Sequence, residues 1–224
     1  MVAAFGRVCE LGSDGKVSCF GEAWPDEVSI PDIEFDEIRA GHTHICGLAG
    51  EAGWGSDRGQ LAVPLGMAIA EIDPGFDHTC ARLRTGEVTC WGPSDFAGRL
   101  LASPGTYTSL STGLNGSCAL DDRGVATCWG DNSFGDLSLP DLRFQEIWIG
   151  GAGVSCGREV TGGVACWGDD AVTEPKVDVA PLPVERSFKQ LSIAAQACGL
   201  TDDRSVRCWG RNDVGQATPP DDLL

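Results

Sequence analysis

Cysteine is the residue type with the clearest chemical potential in this sequence, because a thiol can form a disulfide, bind zinc or act as a nucleophile. Ten of the eleven cysteines fall into five pairs with one common spacing, C-x9-C, and Cys46 stands outside this pattern. The pairs are Cys9/Cys19, Cys80/Cys90, Cys118/Cys128, Cys156/Cys166 and Cys198/Cys208. Zinc sites favour C-x2-C spacing, which the sequence lacks. The regular pairs therefore predict disulfides.

Each pair brackets a short segment that has the pattern of a β-hairpin. In CALDDRGVATC (118–128), two alternating runs flank DDRG, whose Asp and Gly favour a tight turn and a positive φ. A hairpin of this kind places Cys118 directly opposite Cys128, with a Cα separation of roughly 4.5 to 5.5 Å, which a disulfide tolerates. Each such bridge is expected to contribute about 2 to 3 kcal/mol by the chain-entropy estimate.

The hairpin belongs to a repeat that occurs six times along the chain. Second cysteines at positions 90, 128, 166 and 208 follow one another at intervals of 38, 38 and 42 residues. An aromatic residue and a Gly close each hairpin, at Phe20, Trp54, Trp91, Trp129, Trp167 and Trp209. The ring must point to the strand face opposite the cysteine, where we expect it to pack against the next sheet.

An apolar segment that ends in a small residue, such as FDEIRAG or FQEIWIG, supplies a further strand in each unit. Three or four strands per unit at this period, without an amphipathic helix, predict an all-β propeller of about six blades in one domain, 1–224. The expected repeats are approximately 1–35, 36–70, 71–107, 108–143, 144–187 and 188–224. We also expect Val2 to Phe5 to complete the last blade and so protect its edge.

The repeat resembles that of the regulator-of-chromosome-condensation (RCC1) family. The composite motif G-x-x-H-x-C-x-L, then G-x-V-x-C-W-G-x-N-x-x-G-Q, is carried by Gly41, His44, Cys46 and Leu48 and by Val206, Trp209, Gly210, Asn212, Gly215 and Gln216. The resemblance implies a β-propeller. The short units are similar in particular to a bacterial branch whose secreted members inhibit β-lactamases by capping them with one propeller face.

Few side chains are suited to catalysis or metal binding. Of the three histidines, His44 and His78 occupy one column of the repeat, which indicates a hydrogen-bonded structural role. His42, His44 and Cys46 share a strand face, but successive members lie roughly 6.6 Å apart along the strand, too far to share one ion. Ser155 matches G-x-S-x-G without a downstream histidine. We therefore predict no catalytic, metal or cofactor site.

Charge and cysteine usage limit the classes of partner and compartment. Lys and Arg total 16 against 33 Asp and Glu, a formal net charge of −17, which disfavours nucleic acid. The sequence has no apolar run of about 18 residues for membrane insertion and no signal-peptide pattern at its start. Regularly paired cysteines indicate an oxidising compartment, and we expect the protein to be extracellular or periplasmic.

These features favour a non-enzymatic module that binds a protein partner, with a basic patch on that partner as the favoured contact. Specificity is expected in the loops that follow the aromatic-Gly step and in the long fifth unit. The candidate partner-binding residues are Trp24, Phe96, Phe134, Glu174, Lys176 and Arg186. Alternatives are guanine-nucleotide exchange on a GTPase, a structural or decorating role in a larger surface assembly, and an enzyme that uses the central channel. We expect Cys46 to be a small buried thiol.

Overall fold

The computed structural model describes most of the chain and shows the predicted all-β propeller. The described residues are 2–4, 7–21, 27–48, 52–56, 59–64, 66–93, 98–150, 153–168, 188–193, 196–201 and 204–210. They form six antiparallel sheets, here called blades 1 to 6 in chain order, and no α-helix occurs among them. The predicted blade number and the three to four strands per blade are confirmed for this part of the chain.

Five of the blades are meanders of three consecutive strands, and in blade 2 a fourth strand pairs at the outer edge of a three-stranded meander. Blade 1 contains β1 Val2–Ala4, β2 Arg7–Leu11 and β3 Val17–Gly21. Blade 2 contains β4 Glu27–Val28, β5 Glu37–Ala40, β6 His44–Leu48 and β7 Ala52–Ser56. Blade 3 contains β8 Ile69–Pro74, β9 Thr79–Leu83 and β10 Val88–Trp91. Blade 4 contains β11 Ser109–Thr112, β12 Gly116–Leu120 and β13 Ala126–Gly130. Blade 5 contains β14 Phe144–Ile149, β15 Val154–Glu159 and β16 Val164–Gly168. Blade 6 contains β17 Phe188–Ile193, β18 Gln196–Thr201 and β19 Val206–Gly210. The four-stranded blade 2 has the order β4-β7-β6-β5, in which β4 pairs with β7.

The hairpin register brings the paired cysteines together, and all five predicted disulfides are confirmed. The bridges are Cys9–Cys19 in blade 1, Cys80–Cys90 in blade 3, Cys118–Cys128 in blade 4, Cys156–Cys166 in blade 5 and Cys198–Cys208 in blade 6. In each blade the two cysteines lie directly opposite each other in the ladder of the second and third strands.

The Cα separations within these bridges, 4.0 to 4.1 Å, are shorter than the predicted 4.5 to 5.5 Å. The hairpin of blade 4 shows the reason. The Asp121 N–H donates to Val125 O across the turn, so the cysteine pair three rungs away has no ladder hydrogen bonds of its own. Strands approach each other most closely at pairs of this kind.

The two halves of each bridge differ in burial. The second cysteine of every pair is only half-buried: Cys19, Cys90, Cys128, Cys166 and Cys208. The first cysteine is fully buried in blades 1, 3, 4 and 5. The difference follows from strand position, because the second cysteine lies on the third strand, at the edge of its sheet. Each disulfide therefore ties an edge strand to the central strand of its blade.

The apolar core lies between adjacent blades. One buried cluster joins residues of blades 4 and 5, namely Cys118, Leu120, Phe144, Ile147 and Ile149. The Phe144 N–H donates to Gly124 O over 2.9 Å, which ties the first strand of blade 5 to the hairpin turn of blade 4. Gly124 has φ +75°, and a Cβ there would lie 2.5 Å from Phe144 O, so this turn position requires glycine.

The Trp91 and Trp129 rings pack on the preceding blade, so for these two the prediction that the ring packs on the next blade was wrong. Trp129 of blade 4 shares a cluster with Cys80 of blade 3, and Trp91 of blade 3 shares one with Cys46 of blade 2. Cys9, Cys80 and Cys118 pack against residues of the following blade. Since the aromatic residue comes directly after the second cysteine, it points to the opposite side and therefore contacts the preceding blade.

The first strand also differs from expectation. Strand β1 pairs antiparallel with β2 in blade 1, with Val2 opposite Cys9, so the prediction that Val2 to Phe5 complete the last blade was wrong. The link between β1 and β2 is only two residues long, and such a short link favours pairing with the adjacent strand. Phe20 of blade 1, in the Trp column, is 58% exposed, whereas Trp129 is 7% exposed.

Candidate protein-binding surface

The blades present two sets of turns at opposite ends of their strands. The hairpin turns that join the second and third strands include residues 121–125 and 160–163, and we call their side the hairpin-turn face. The turns between first and second strands lie beside the segments that follow the third strand, as the hydrogen bond from Asp131 N–H to Asn115 O, 3.0 Å, shows for blade 4. This second side, the post-Trp face, carries the loops in which specificity was predicted.

The histidines of the repeat connect neighbouring blades. His44 Nε2 lies 2.9 Å from Thr79 Oγ1 of the next blade, and His78 Nε2 lies 3.1 Å from Ser117 Oγ of the next. Burial, with Arg99 nearby, lowers the pKa of His78 to about 4, so its ring is neutral at physiological pH. The predicted structural role of these two histidines is confirmed.

Ser155 occupies the same repeat position as Thr79 and Ser117, directly before the first cysteine of its blade, but no histidine of the preceding blade lies beside it. It is fully buried in β15, opposite Trp167 in the ladder, so it is not part of the strand-turn-helix that a nucleophile elbow needs. Gly116 occupies the histidine position of blade 4, and Ser155 Oγ has no hydrogen-bond partner in the described part of the chain.

The post-Trp segments after blades 2 and 4 are hydrogen-bonded to the following blade. The Trp91 indole donates to Gln60 O over 2.8 Å, and the Trp167 indole donates to Asp136 O over 2.9 Å. Arg99 occupies the same column as Gln60 and Asp136. Sequence reasoning did not identify these contacts, although the repeated Gly-Gln, Gly-Arg and Gly-Asp steps at 59–60, 98–99 and 135–136 were a usable signal.

Arg99 is a buried cation that fixes two loops on the post-Trp face. Its guanidinium lies 2.7 Å from Asp77 Oδ1 and donates from Nη1 to Asn115 Oδ1 over 3.3 Å. Asp77 and Asn115 precede the second strands of blades 3 and 4, so Arg99 connects these blades at their loop ends. Arg99 therefore holds these two loops together.

Phe134 is the one predicted partner-binding residue that falls within the described ranges. It is half-buried in the turn after β13. Asn132 holds this turn, since its Oδ1 accepts the Leu137 N–H over 2.9 Å and its Nδ2 donates to Ser138 Oγ over 2.9 Å. The other predicted residues, Trp24, Phe96, Glu174, Lys176 and Arg186, lie outside the described residues.

The hairpin-turn face holds a groove that sequence reasoning missed. It has a volume of about 330 Å³ and lies between the hairpin turns of blades 4 and 5. Its lining includes Leu120 and Phe144 from the interblade core, Asp122 and Arg123 from one turn, and Val160 from the other. No local motif marks it, because its residues come from separate stretches of the chain.

Cys46 is a free, buried thiol at the seam between blades 2 and 3. It lies opposite Gly53 in the β6–β7 ladder, where the other hairpins place their second cysteine. Burial raises the pKa of the Cys46 thiol to about 12, which makes it a poor nucleophile. Across the described ranges, no group of three or more His, Cys, Asp or Glu side chains is arranged to hold a metal ion.

In the part of the chain that the structure covers, no helix has the length and apolar character needed to cross a membrane.

Comparison with known proteins identifies the repeat. The family model described as the regulator of chromosome condensation (RCC1) repeat matches residues 69–96 and 197–216. Among curated protein sequences, none matches the chain.

Solved structures share the architecture. The ectodomain of the Physcomitrella patens receptor kinase CR4 is 26% identical with a TM-score of 0.76, over 93% of this chain and 63% of that chain. The CRINKLY WD40 ectodomain of the Arabidopsis thaliana receptor kinase ACR4 is 25% identical with a TM-score of 0.71, over 96% and 85% of the two chains. Prp20p from Saccharomyces cerevisiae, 17% identical with a TM-score of 0.70 over 86% and 61%, shares the fold. The chain therefore carries the RCC1 repeat at residues 69–96 and 197–216 and shares the architecture of RCC1-like β-propellers, with a hairpin disulfide in five of its six described sheets.

Proposed function

We propose that the chain is an exported, non-enzymatic module that binds a protein partner. The observation that carries this proposal is the set of five hairpin disulfides, each joining the second and third strands of its blade. Structural disulfides of this density persist in oxidising compartments and are rare where glutathione keeps thiols reduced. An RCC1-like propeller with such bridges fits an extracellular protein-binding domain.

Two of the similar structures support this compartment. Both the CR4 and the ACR4 chains are ectodomains of receptor kinases. This chain spans 63% of the length of the CR4 ectodomain, so activity and partners of the whole receptor are not transferred to it. What supports the proposal is the shared propeller in an extracellular part of a protein.

The geometry of the post-Trp face supports a docking role. Arg99, Asn132 and the Trp indoles hold the loops of this face in place, and a preorganised surface loses less conformational entropy on binding. We propose Phe134 as an anchor there, together with Trp24, Phe96, Glu174, Lys176 and Arg186. The net charge of −17 favours a partner with a basic patch and disfavours a polyanion such as nucleic acid.

The test of export is a count of free thiols on protein isolated from its native source, with alkylation at lysis. We expect about one thiol per chain, labelled only after denaturation, since ten cysteines are in disulfides and Cys46 is buried. Eleven reactive thiols would contradict export and would favour a cytosolic function such as nucleotide exchange.

The test of docking is site-specific photo-crosslinking in the native environment. A benzophenone amino acid replaces Phe134, and a matched control carries it at Ser18, an exposed position on the outer strand of blade 1. We expect a discrete protein adduct from position 134 alone. Equal adduct patterns from both positions would show that contacts on the post-Trp face are non-specific.

A further inference from the structure

Three stretches of the hairpin-turn face form one continuous surface at the junction of blades 4 and 5. The Phe144 N–H donates to Gly124 O over 2.9 Å, and the Val160 N–H donates to Arg143 O over 3.0 Å. The Arg143 guanidinium donates from Nη1 to Arg123 O over 3.2 Å. The segment around Arg143 therefore bridges the two hairpin turns and fixes their spacing.

Exposed apolar side chains are concentrated on this surface. Of the six exposed large apolar side chains among the described residues, three belong to these stretches: Val125 at 37%, Leu142 at 38% and Val160 at 50%. The groove of about 330 Å³ lies between the same turns and reaches Leu120 and Phe144 of the buried core. Exposed apolar side chains beside a groove that opens onto core residues are typical of interaction sites.

The groove lining holds two carboxylates, Asp121 and Asp122, against one guanidinium, Arg123, and so favours a cation. Asp121 is already neutralised, since it accepts from the Arg123 guanidinium over 2.8 Å and from the Val125 N–H over 2.8 Å. These hydrogen bonds lower the pKa of Asp121 and hold the Arg123 side chain against its own turn. Asp122 is an exposed carboxylate in the groove lining, next to this pair. A cationic group in the groove would therefore meet the Asp122 carboxylate.

We propose that this groove docks an extended segment of a protein partner in which a large apolar side chain lies next to an arginine or lysine. The apolar side chain contacts Leu120, Phe144 and Val160, and the cation pairs with Asp122. The volume, at the lower end of the range for ligand pockets, suits one or two side chains. This inference rests on the proposed protein-binding function but concerns the face opposite Phe134, so each can fail without the other.

The experiment uses the oxidised, nitrogen-15-labelled protein and the capped tetrapeptide acetyl-Ala-Leu-Arg-Ala-amide, titrated by NMR. We expect saturable shifts confined to the backbone amides of Gly124, Gln145 and Val160 and their neighbours, with a Kd of about 1 mM. The same peptide with Glu in place of Arg is expected to bind at least about fivefold more weakly, because attraction to Asp122 becomes repulsion.

Two variants and one matched control locate the site. Val160→Lys places a cation in the groove and is expected to weaken binding at least about tenfold, while Ser13→Lys adds the same charge at the equivalent turn position of blade 1 and leaves binding unchanged. Asp122→Asn is expected to weaken binding of the Arg peptide about two- to fivefold, the range for an exposed ion pair. Thermal melts of all three variants establish that the fold is intact.

Three outcomes would overturn the proposal. They are the absence of saturable, localised shifts up to about 10 mM peptide, equal binding of the Arg and Glu peptides, and unchanged binding to a folded Val160→Lys variant. Crosslinking from position 134 is independent of all three, so a protein-binding domain whose groove stays empty remains distinguishable from a domain that binds no protein.

Discussion

Two identical serine-to-alanine substitutions at equivalent positions of adjacent blades are expected to have different effects on stability, and only Ser117→Ala is expected to destabilise the fold. Ser117 and Ser155 are both fully buried in the second strand of their blades, one residue before the first cysteine. Ser117 Oγ lies 3.1 Å from His78 Nε2, whereas Ser155 Oγ has no hydrogen-bond partner among the described residues. Ser117→Ala therefore removes contacts of the hydroxyl with His78 and with Cys80 Sγ at 3.5 Å, and Ser155→Ala removes no hydrogen bond among the described residues.

The magnitudes follow from the cost of a buried polar group without a partner. Ser117→Ala leaves the neutral His78 ring nitrogen buried and unpaired, which is expected to cost about 1 to 3 kcal/mol. Ser155→Ala removes a hydroxyl that is already unpaired, so it is expected to be neutral or to stabilise by up to about 1 kcal/mol. The difference between the variants is therefore about 1 to 4 kcal/mol.

The assay is urea denaturation of the oxidised proteins, followed by tryptophan fluorescence and circular dichroism. The midpoint is expected to fall for Ser117→Ala and to stay or rise for Ser155→Ala, with unchanged slope. The double variant His78→Ala with Ser117→Ala isolates the pair: the serine substitution is expected to cost little once the histidine is gone. Equal losses in both single variants would refute the assignment of this column as an interblade hydrogen bond.

Four further substitutions test other parts of the fold. Gly53→Cys is expected to form a sixth hairpin disulfide with Cys46 and to add about 2.5 kcal/mol, measured by thermal unfolding with and without reductant. Phe20→Ala is expected to change stability by less than about 0.5 kcal/mol, since Phe20 is 58% exposed, whereas the buried Trp129→Ala loses about 3 to 5 kcal/mol, both by urea denaturation. Burial raises the pKa of Asp73 to about 6, so wild type is expected to gain stability over Asp73→Asn as pH falls from about 7 to 5.

The sign of the pH effect follows from proton binding. In the unfolded chain an Asp has a pKa of about 3.9, so between about pH 4 and 6 the folded state holds a proton that the unfolded state has released. Stability from this group is complete below about pH 4 and is lost as pH rises through about 6. A stability advantage of wild type over Asp73→Asn that grows with rising pH would contradict this assignment. For the disulfide, the contradicting result is a Gly53→Cys protein that keeps its added stability after reduction. For the aromatic column, it is a loss of stability in Phe20→Ala as large as that in Trp129→Ala.

Features repeated along the chain were predictable from the sequence, because five of the six copies of the repeat show the same cysteine spacing and similar turn residues. The C-x9-C spacing and the turn residues determine the hairpin register, so the five bridges and the position of Gly53 opposite Cys46 followed from the sequence. Alternation along a strand also showed that the Trp ring and the cysteine lie on opposite faces. It did not show which neighbouring blade each face meets, since that depends on how the blades are ordered around the propeller.

Contacts between blades were not predictable from the repeat alone. The columns of His78 and of Ser117 were both visible in the sequence, but a column does not say which other column it touches in the next blade. Arg99 occupies a loop position of the repeat at which other copies have Gln60 and Asp136. Its ion pair with Asp77 depends on the geometry of the loops, which the repeat does not show. The groove beside Val160 likewise forms only where the hairpin turns of blades 4 and 5 meet the start of strand β14.

The most direct test of the account is non-reducing peptide mapping by mass spectrometry of the protein from its native source. The structure predicts five linked peptide pairs within single blades, and an unlinked Cys46 that is alkylated only after denaturation. The expected links are Cys9–Cys19, Cys80–Cys90, Cys118–Cys128, Cys156–Cys166 and Cys198–Cys208. Links between different blades, or cysteines that are all reduced, would contradict both the cross-linked hairpins and the exported binding module inferred from them.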